Sequence, residues 1–148
     1  MTENLGDLFK GNLGNANPAV IDLADPARPI ARSYAELDTR ADEVAAGLAK
    51  LGVGRGATVG ILALNRVEFI EVFFGIMRAG AVPVPVNVKL PAETVRYILE
   101  DSATAVNFVD GIGEALLPDD AKAVNFDSAY EGFLCPGGFS SVPVDDTD

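Results

Sequence analysis

Three stretches carry polar side chains where a ligand would be met: Asn65, then Asn87-Val88-Lys89, then Asp110-Gly111-Ile112-Gly113. Each follows an apolar run, over residues 58–64, 81–86 and 104–109. In an open α/β sheet, ligands bind beyond the carboxyl ends of the strands, so these positions come first. An asparagine there offers an amide donor and acceptor, and a lysine offers a point charge to an anion. Asn65, Asn87 and Lys89 are therefore the candidate substrate-binding residues. Asn65 also fits a helix cap, because Glu68 three residues on completes an N-x-x-E variant of the capping box. Lys89 also fits an ordinary solvated side chain. The third stretch has a G-x-G run, but Leu116 stands where a third glycine belongs. Glu114 would also repel a phosphate at a helix N-terminus.

Other chemistries are removed by residue type. The chain has no histidine, which excludes a Ser-His-Asp triad, a Cys-His pair and any zinc site with a histidine ligand. The single cysteine, Cys135, has no neighbouring cation to activate it and no partner for an intrachain disulfide. Glu36 and Glu68 are explained by helix capping rather than acid–base work. Asp145, Asp146 and Asp148 read as a solvated acidic tail without a basic partner. The G-x-G-x-G of Gly52 to Gly56 precedes a strand instead of following one, so it reads as a helix stop and a turn. No catalytic residue and no metal-ligand set is expected.

The elements that must position these residues are legible from periodicity. Ser33-Tyr34-Ala35-Glu36 is a capping box. Leu37, Ala41, Val44, Ala45, Leu48 and Leu51 then share one helix face, and Gly52 suits the stop. Thr58–Leu64 is apolar on both sides, as in a central parallel strand. A second helix with Phe69, Ile70, Phe73, Phe74, Ile76 and Met77 is apolar over more than one stripe and ends at Gly80. Residues 81–86 alternate with proline, so that strand has one side without ladder bonds. Pro91 suits the first turn of a third helix over 91–102, and residues 104–109 form another strand. Leu116-Leu117 closes a short helix, and 121–126 forms a last strand.

The fold class is therefore α/β, a parallel sheet with flanking helices, preceded by a small β-hairpin from 19–23 and 29–32. The organisation is a single unit: a loose leader 1–18, the hairpin 19–32, an α/β core 33–127, and a loop with acidic tail 128–148.

The 148 residues suit one domain that buries roughly 70% of its unfolded surface. A net charge of -11 argues against nucleic acid and anionic membranes. The apolar stretch 67–88 is broken by Glu68, Glu71, Arg78 and two prolines, so it is not a membrane span. With no signal-peptide pattern, a cytoplasmic location is expected.

Ser33 to about Asp110 resembles the N-terminal part of the adenylate-forming enzymes. Ser33-Tyr34-Ala35-Glu36-Leu37 is similar to their first core motif. Gly75-Ile76-Met77-Arg78-Ala79-Gly80-Ala81-Val82-Pro83-Val84-Pro85-Val86-Asn87 is similar to their second. Residues 52–61, 65–69 and 91–102 continue the pattern in order. The fatty-acyl- and aryl-CoA ligases are the best match within it. The resemblance implies a full-length parent that joins a carboxylate to coenzyme A with Mg-ATP, releasing AMP and pyrophosphate. Its phosphate loop and catalytic lysine match no residue here. The chain is accordingly expected to be an architectural N-terminal portion, inactive alone and without a bound cofactor. Its expected partners are the remainder of the enzyme and a second copy, through apolar surface on the second helix and the proline-rich strand. The alternative is a stand-alone flavodoxin-like module for nucleotide binding or interaction.

Overall fold

The structure, a computed structural model, describes residues 4–145. The hairpin pairs β1 (Pro18–Asp22) antiparallel with β2 (Ile30–Ser33). Ser33 ends β2 and caps α1 (Tyr34–Lys50). Its hydroxyl accepts the Glu36 amide at 3.2 Å, while Glu36 accepts the Ser33 amide at 2.8 Å, so the expected capping box is complete. Gly52 takes φ +74° just past the helix end, a conformation that favours glycine.

From there the chain alternates: β3 (Thr58–Leu62), α2 (Val67–Arg78), β4 (Val82–Pro85), α3 (Ala92–Ser102) and β5 (Val106–Val109). The short α4 (Gly111–Glu114), β6 (Ala123–Asn125) and α5 (Tyr130–Phe133) follow. The sheet runs β4-β3-β5-β6 and is parallel throughout. The α/β class, the parallel sheet and the preceding hairpin are as expected from the sequence.

β4 lies at the sheet edge, which is where its prolines belong. The Val82 amide donates to Ala57 O and the Val86 amide to Ile61 O. Even-numbered residues thus face β3, while Pro83 and Pro85 turn their missing donors to the open side.

The sheet has two covered faces. Val59, Ile61, Val106, Phe108 and Val124 pack with α1 and α2 in the larger apolar cluster. Leu62, Val86 and Val109 pack with Val95 and Leu99 of α3 in the smaller one. The two helices of the first face meet closely at Gly75. A Cβ there would stand 2.5 Å from Val44 Cβ, so no larger residue fits without movement.

Several expectations are corrected. Asn65 and Glu68 do not cap α2. Arg66 occupies the cap position without a side-chain bond, and the Val67 amide donates instead to Asp22 Oδ2 of the hairpin at 3.0 Å. The cap comes from 45 residues away, so no local pattern announces it. The wide apolar surface of α2 is covered in part, leaving Phe69, Ile70, Phe73, Phe74 and Met77 half-buried. Val67, Val72 and Ile76 are fully buried, and Phe74 packs edge-on against Phe9 of the leader. Of the surface expected to mediate self-association, Val82 is the large apolar side chain that stays exposed.

The leader is not loose within the described residues. It forms 3-10 turns at Leu5–Asp7 and Lys10–Asn12, with Phe9 buried and Leu8 exposed. Finally, the region after Ser128 is not all loop. It contains α5, and Asp145 lies 3.8 Å from Arg55, so it has a basic partner. Asp146 and Asp148 of the expected acidic tail lie outside the described residues. α3 begins one residue after Pro91, which takes the N-cap position rather than the first turn.

Candidate functional site

The carboxyl ends of β3 and β4 open into a shallow groove of about 440 Å³ lined by Asn65, Phe69, Pro85, Asn87, Val88 and Lys89. The three residues singled out in the sequence are therefore brought together. The reason is the sheet order: β3 and β4 are direct neighbours in register, with Ile61 opposite Pro85, so their trailing loops lie side by side. Asn65, Asn87 and Lys89 are all exposed. Asn87 is partly engaged already, since its Oδ1 accepts the Lys89 amide at 2.9 Å and closes a tight turn. That turn fixes the backbone from which the Lys89 side chain projects. The groove floor is apolar and its rim polar.

Two further grooves meet this one at Asn65, and those two also share Arg66. One, of about 380 Å³, runs between β1 and the start of α2 and includes Ile21, Leu23 and Ile70. The other, of about 540 Å³, crosses the end of β5 and includes Ile30, Leu64, Asp110 and Ile112. Ile21, Leu23, Ile30, Leu64 and Ile112 are all exposed. Apolar side chains thus surround a small polar centre on this end of the molecule.

That centre is held by bonds within the chain. Asp110, 8% exposed, caps α4 through Oδ1 to the Gly113 amide at 2.8 Å. Its Oδ2 accepts the Leu64 amide at 2.8 Å, tying the ends of β3 and β5 together. Arg66 donates to Glu68 at 2.8 Å and to Asp127 at 3.0 Å, and its guanidinium lies over the Phe126 ring. The bonds to Glu68 foremost, then that to Asp127, raise the Arg66 pKa against its burial. Sequence reasoning missed Asp110 as a clamp and Arg66 as a hub. Asp110 had a local signal, an Asp three residues before Gly113 at a helix start. Arg66 had only Glu68 two residues on, because Asp127 comes from a distant loop.

The residues present do not fit a nucleotide's phosphates. The G-x-G of Gly111 to Gly113 is a packing device. A Cβ on Gly113 would collide with the Leu62 carbonyl, so this glycine lets α4 approach β3. The Gly113 amide already donates to Asp110, and the surrounding carboxylates of Asp110, Glu68 and Asp127 oppose an anion. Among the described residues no cluster of carboxylate or cysteine side chains could hold a metal ion. None of their helices is long and apolar enough to cross a membrane.

Comparison with known proteins decides the family. The profile described as AMP-binding enzyme matches residues 14–132. The chain belongs to the AMP-binding enzyme family. It is 33% identical over 104 residues to a long-chain-fatty-acid–CoA ligase, FadD13, of Mycobacterium tuberculosis, covering 70% of this chain and 20% of that one. It is 36% identical over 102 residues to a 4-hydroxybenzoate–CoA/benzoate–CoA ligase of Rhodopseudomonas palustris, covering 69% and 19% respectively.

The crystal structure of the N-terminal domain of FACL13 from Mycobacterium tuberculosis superimposes with a TM-score of 0.84. It is 24% identical and covers 98% of this chain and 40% of that one. This likeness shows the shared fold. The chain spans about a fifth of the length of these curated relatives. The matched residues include the hairpin, both faces of the sheet and the groove with Asn65, Asn87 and Lys89.

Proposed function

We propose that this chain is the N-terminal structural portion of an ATP-dependent acyl-CoA synthetase and that it does not adenylate a carboxylate by itself. The whole reaction of the parent would consume a carboxylate, Mg-ATP and coenzyme A, and would yield acyl-CoA, AMP and pyrophosphate. The observation that carries this reading is the use of polar groups at the strand ends. Asp110, Arg66 and Asn87 are bonded to the chain's own backbone or carboxylates. Asn65 and the Lys89 side chain are what the groove presents to a ligand.

The role is architectural. Ile21, Leu23, Ile30, Leu64 and Ile112 form an apolar wall around Asn65, suited to pack against the remainder of an enzyme. Lys89 at the rim suits an anionic group of a bound substrate, and the apolar floor suits its carbon chain. The experiment is ATP–pyrophosphate exchange with a panel of aliphatic and aromatic carboxylates. Exchange at background for the purified chain is the expected result. Carboxylate-dependent exchange above background overturns it. Calorimetry with ATP, AMP, FMN and coenzyme A tests the alternative of a self-sufficient nucleotide-binding module, which micromolar binding would favour.

A further inference from the structure

Arg78 is fully buried although it ends a helix, and its contacts come from opposite ends of the chain. From the leader, Gly6 O accepts Nε at 2.8 Å, Asp7 Oδ1 lies 3.4 Å away, and the Phe9 ring lies under the guanidinium. From α1, Asp38 accepts Nη2 at 2.6 Å and Asp42 accepts Nη1 at 2.7 Å. From the far end, the Val142 amide donates to the Arg78 carbonyl at 2.8 Å.

The two terminal segments also bond each other. Asn4 Nδ2 donates to Val142 O at 2.9 Å and to Met77 O at 2.7 Å. Ser141 Oγ donates to Asp7 Oδ1 at 2.6 Å. Asp42 accepts the Phe139 amide at 3.2 Å through the oxygen that Arg78 does not use. Beyond Val142, Arg55 donates to Pro143 O and lies near Asp145, so the chain is led away along a fixed path.

We propose that residues 4–9 and 139–145 form a single conformational latch on Arg78, each segment docking only while the other is docked. Neither segment is a strand of either sheet, Val144 making a single isolated bridge, and the short 3-10 turns of the leader are intrinsically weak. Arg55 holds Pro143 and Asp145 independently, but the positions of residues 4–9 and 139–142 rest on bonds whose partners the two segments share. A shared guanidinium with three carboxylates leaves an imbalance when any member departs, and that imbalance couples the members. The latch makes the path of the chain past Arg55 depend on the leader about 130 residues earlier, as the 134-residue separation of Asp7 and Ser141 shows.

The test is amide hydrogen exchange on the full chain with Ser141→Ala and Asn4→Ala. Ser141→Ala is expected to lower protection of the Asp7 and Leu8 amides about fivefold, the equivalent of one ordinary hydrogen bond. Asn4→Ala is expected to lower protection of the Val142 amide by at least that factor. The Asn107 and Phe126 amides, which donate across β5 and β6, serve as controls and should not change. Loss confined to the mutated segment overturns the latch, because the ends then dock independently. A parallel fall at Asn107 and Phe126 also overturns it, because the effect is then global.

Discussion

The two faces of the sheet are closed by different physics. The α3 face is covered by one helix lying between two strands of the same sheet, and it buries Leu62, Val86, Val95, Leu99 and Val109 with one neutral polar side chain, Asn107, and no fully buried charge. The α1 and α2 face has a larger apolar cluster, yet it also buries Glu71 and Arg78 completely. The difference follows from what each face must hold. α3 is already positioned by β4 before it and β5 after it, so non-directional burial is enough to seat it.

The other face must position segments without a ladder in the main sheet. Glu71 accepts from Arg32 of the hairpin at 3.2 Å, from Arg40 of α1 at 3.0 Å and from the Tyr130 hydroxyl of α5 at 2.9 Å. Arg40 continues to Glu131 at 2.6 Å and lies over the Tyr130 ring. Burial, with the adjacent Glu71 carboxylate, pushes the Tyr130 hydroxyl far above its ordinary pKa, so it stays a donor. Arg78 does the same for the leader and residues 139–142. Charged hydrogen bonds fix direction and register where apolar contact alone would let a short segment slide.

This contrast is broken first at Arg78. Arg78→Met keeps much of the volume but leaves Asp7, Asp38 and Asp42 facing one another without their cation. A loss of about 4 kcal/mol is expected in denaturant unfolding, because one partner of a buried ionic group is removed. A change below about 1 kcal/mol would mean that the network contributes no more than surface pairs do. Leu99→Ala tests the apolar face and should cost about 3 kcal/mol, depending on how far the site can collapse. Ser33→Ala removes the cap where β2 becomes α1 and should cost about 1 kcal/mol. An unchanged midpoint would show that the hairpin, not the cap, sets the helix start.

Acid sharpens the comparison with the smallest effect. Burial tends to raise the pKa of Asp7, but hydrogen bonds from Lys10 and Ser141 and the charges of Lys10 and Arg78 outweigh it and hold it low. The Glu131 pKa is lowered chiefly by its hydrogen bonds from Arg40. A carboxylate held below its unfolded value contributes stability above that value, near pH 4, and loses it as the pH falls through the folded value. The penalty for Arg78→Met should therefore shrink between pH 6 and pH 3, while that for Leu99→Ala should stay level. Equal pH dependence of the two variants would contradict the division between the faces.

How much of this was legible follows from the range of each interaction. The capping box at Ser33 and Glu36 needs residues three apart, and both are local in the sequence. The edge position of β4 follows from the prolines, because a missing N–H is a property of the residue itself. The groove with Asn65, Asn87 and Lys89 was reachable through the rule for strand ends. The cap of α2 was misread because Asp22, from the hairpin, supplies what Asn65 was expected to supply. That Phe9 covers Phe74 of α2 was not legible, because Phe9 lies in a glycine- and asparagine-rich leader without periodicity.

The sequence by itself determined the local elements, the parallel alternation of strands and helices, and the family to which the chain belongs. Those properties rest on capping, backbone donors and apolar period, which act over a few residues. Only the tertiary structure decided what Glu71 and Arg78 do. On the sequence they interrupt an apolar helix. In the fold they are as fully buried as its apolar side chains, because their partners come from residues 32 and 130 and from both ends of the chain. A buried charge is tolerated only when such partners surround it, and no spacing rule along α2 can place partners that distant.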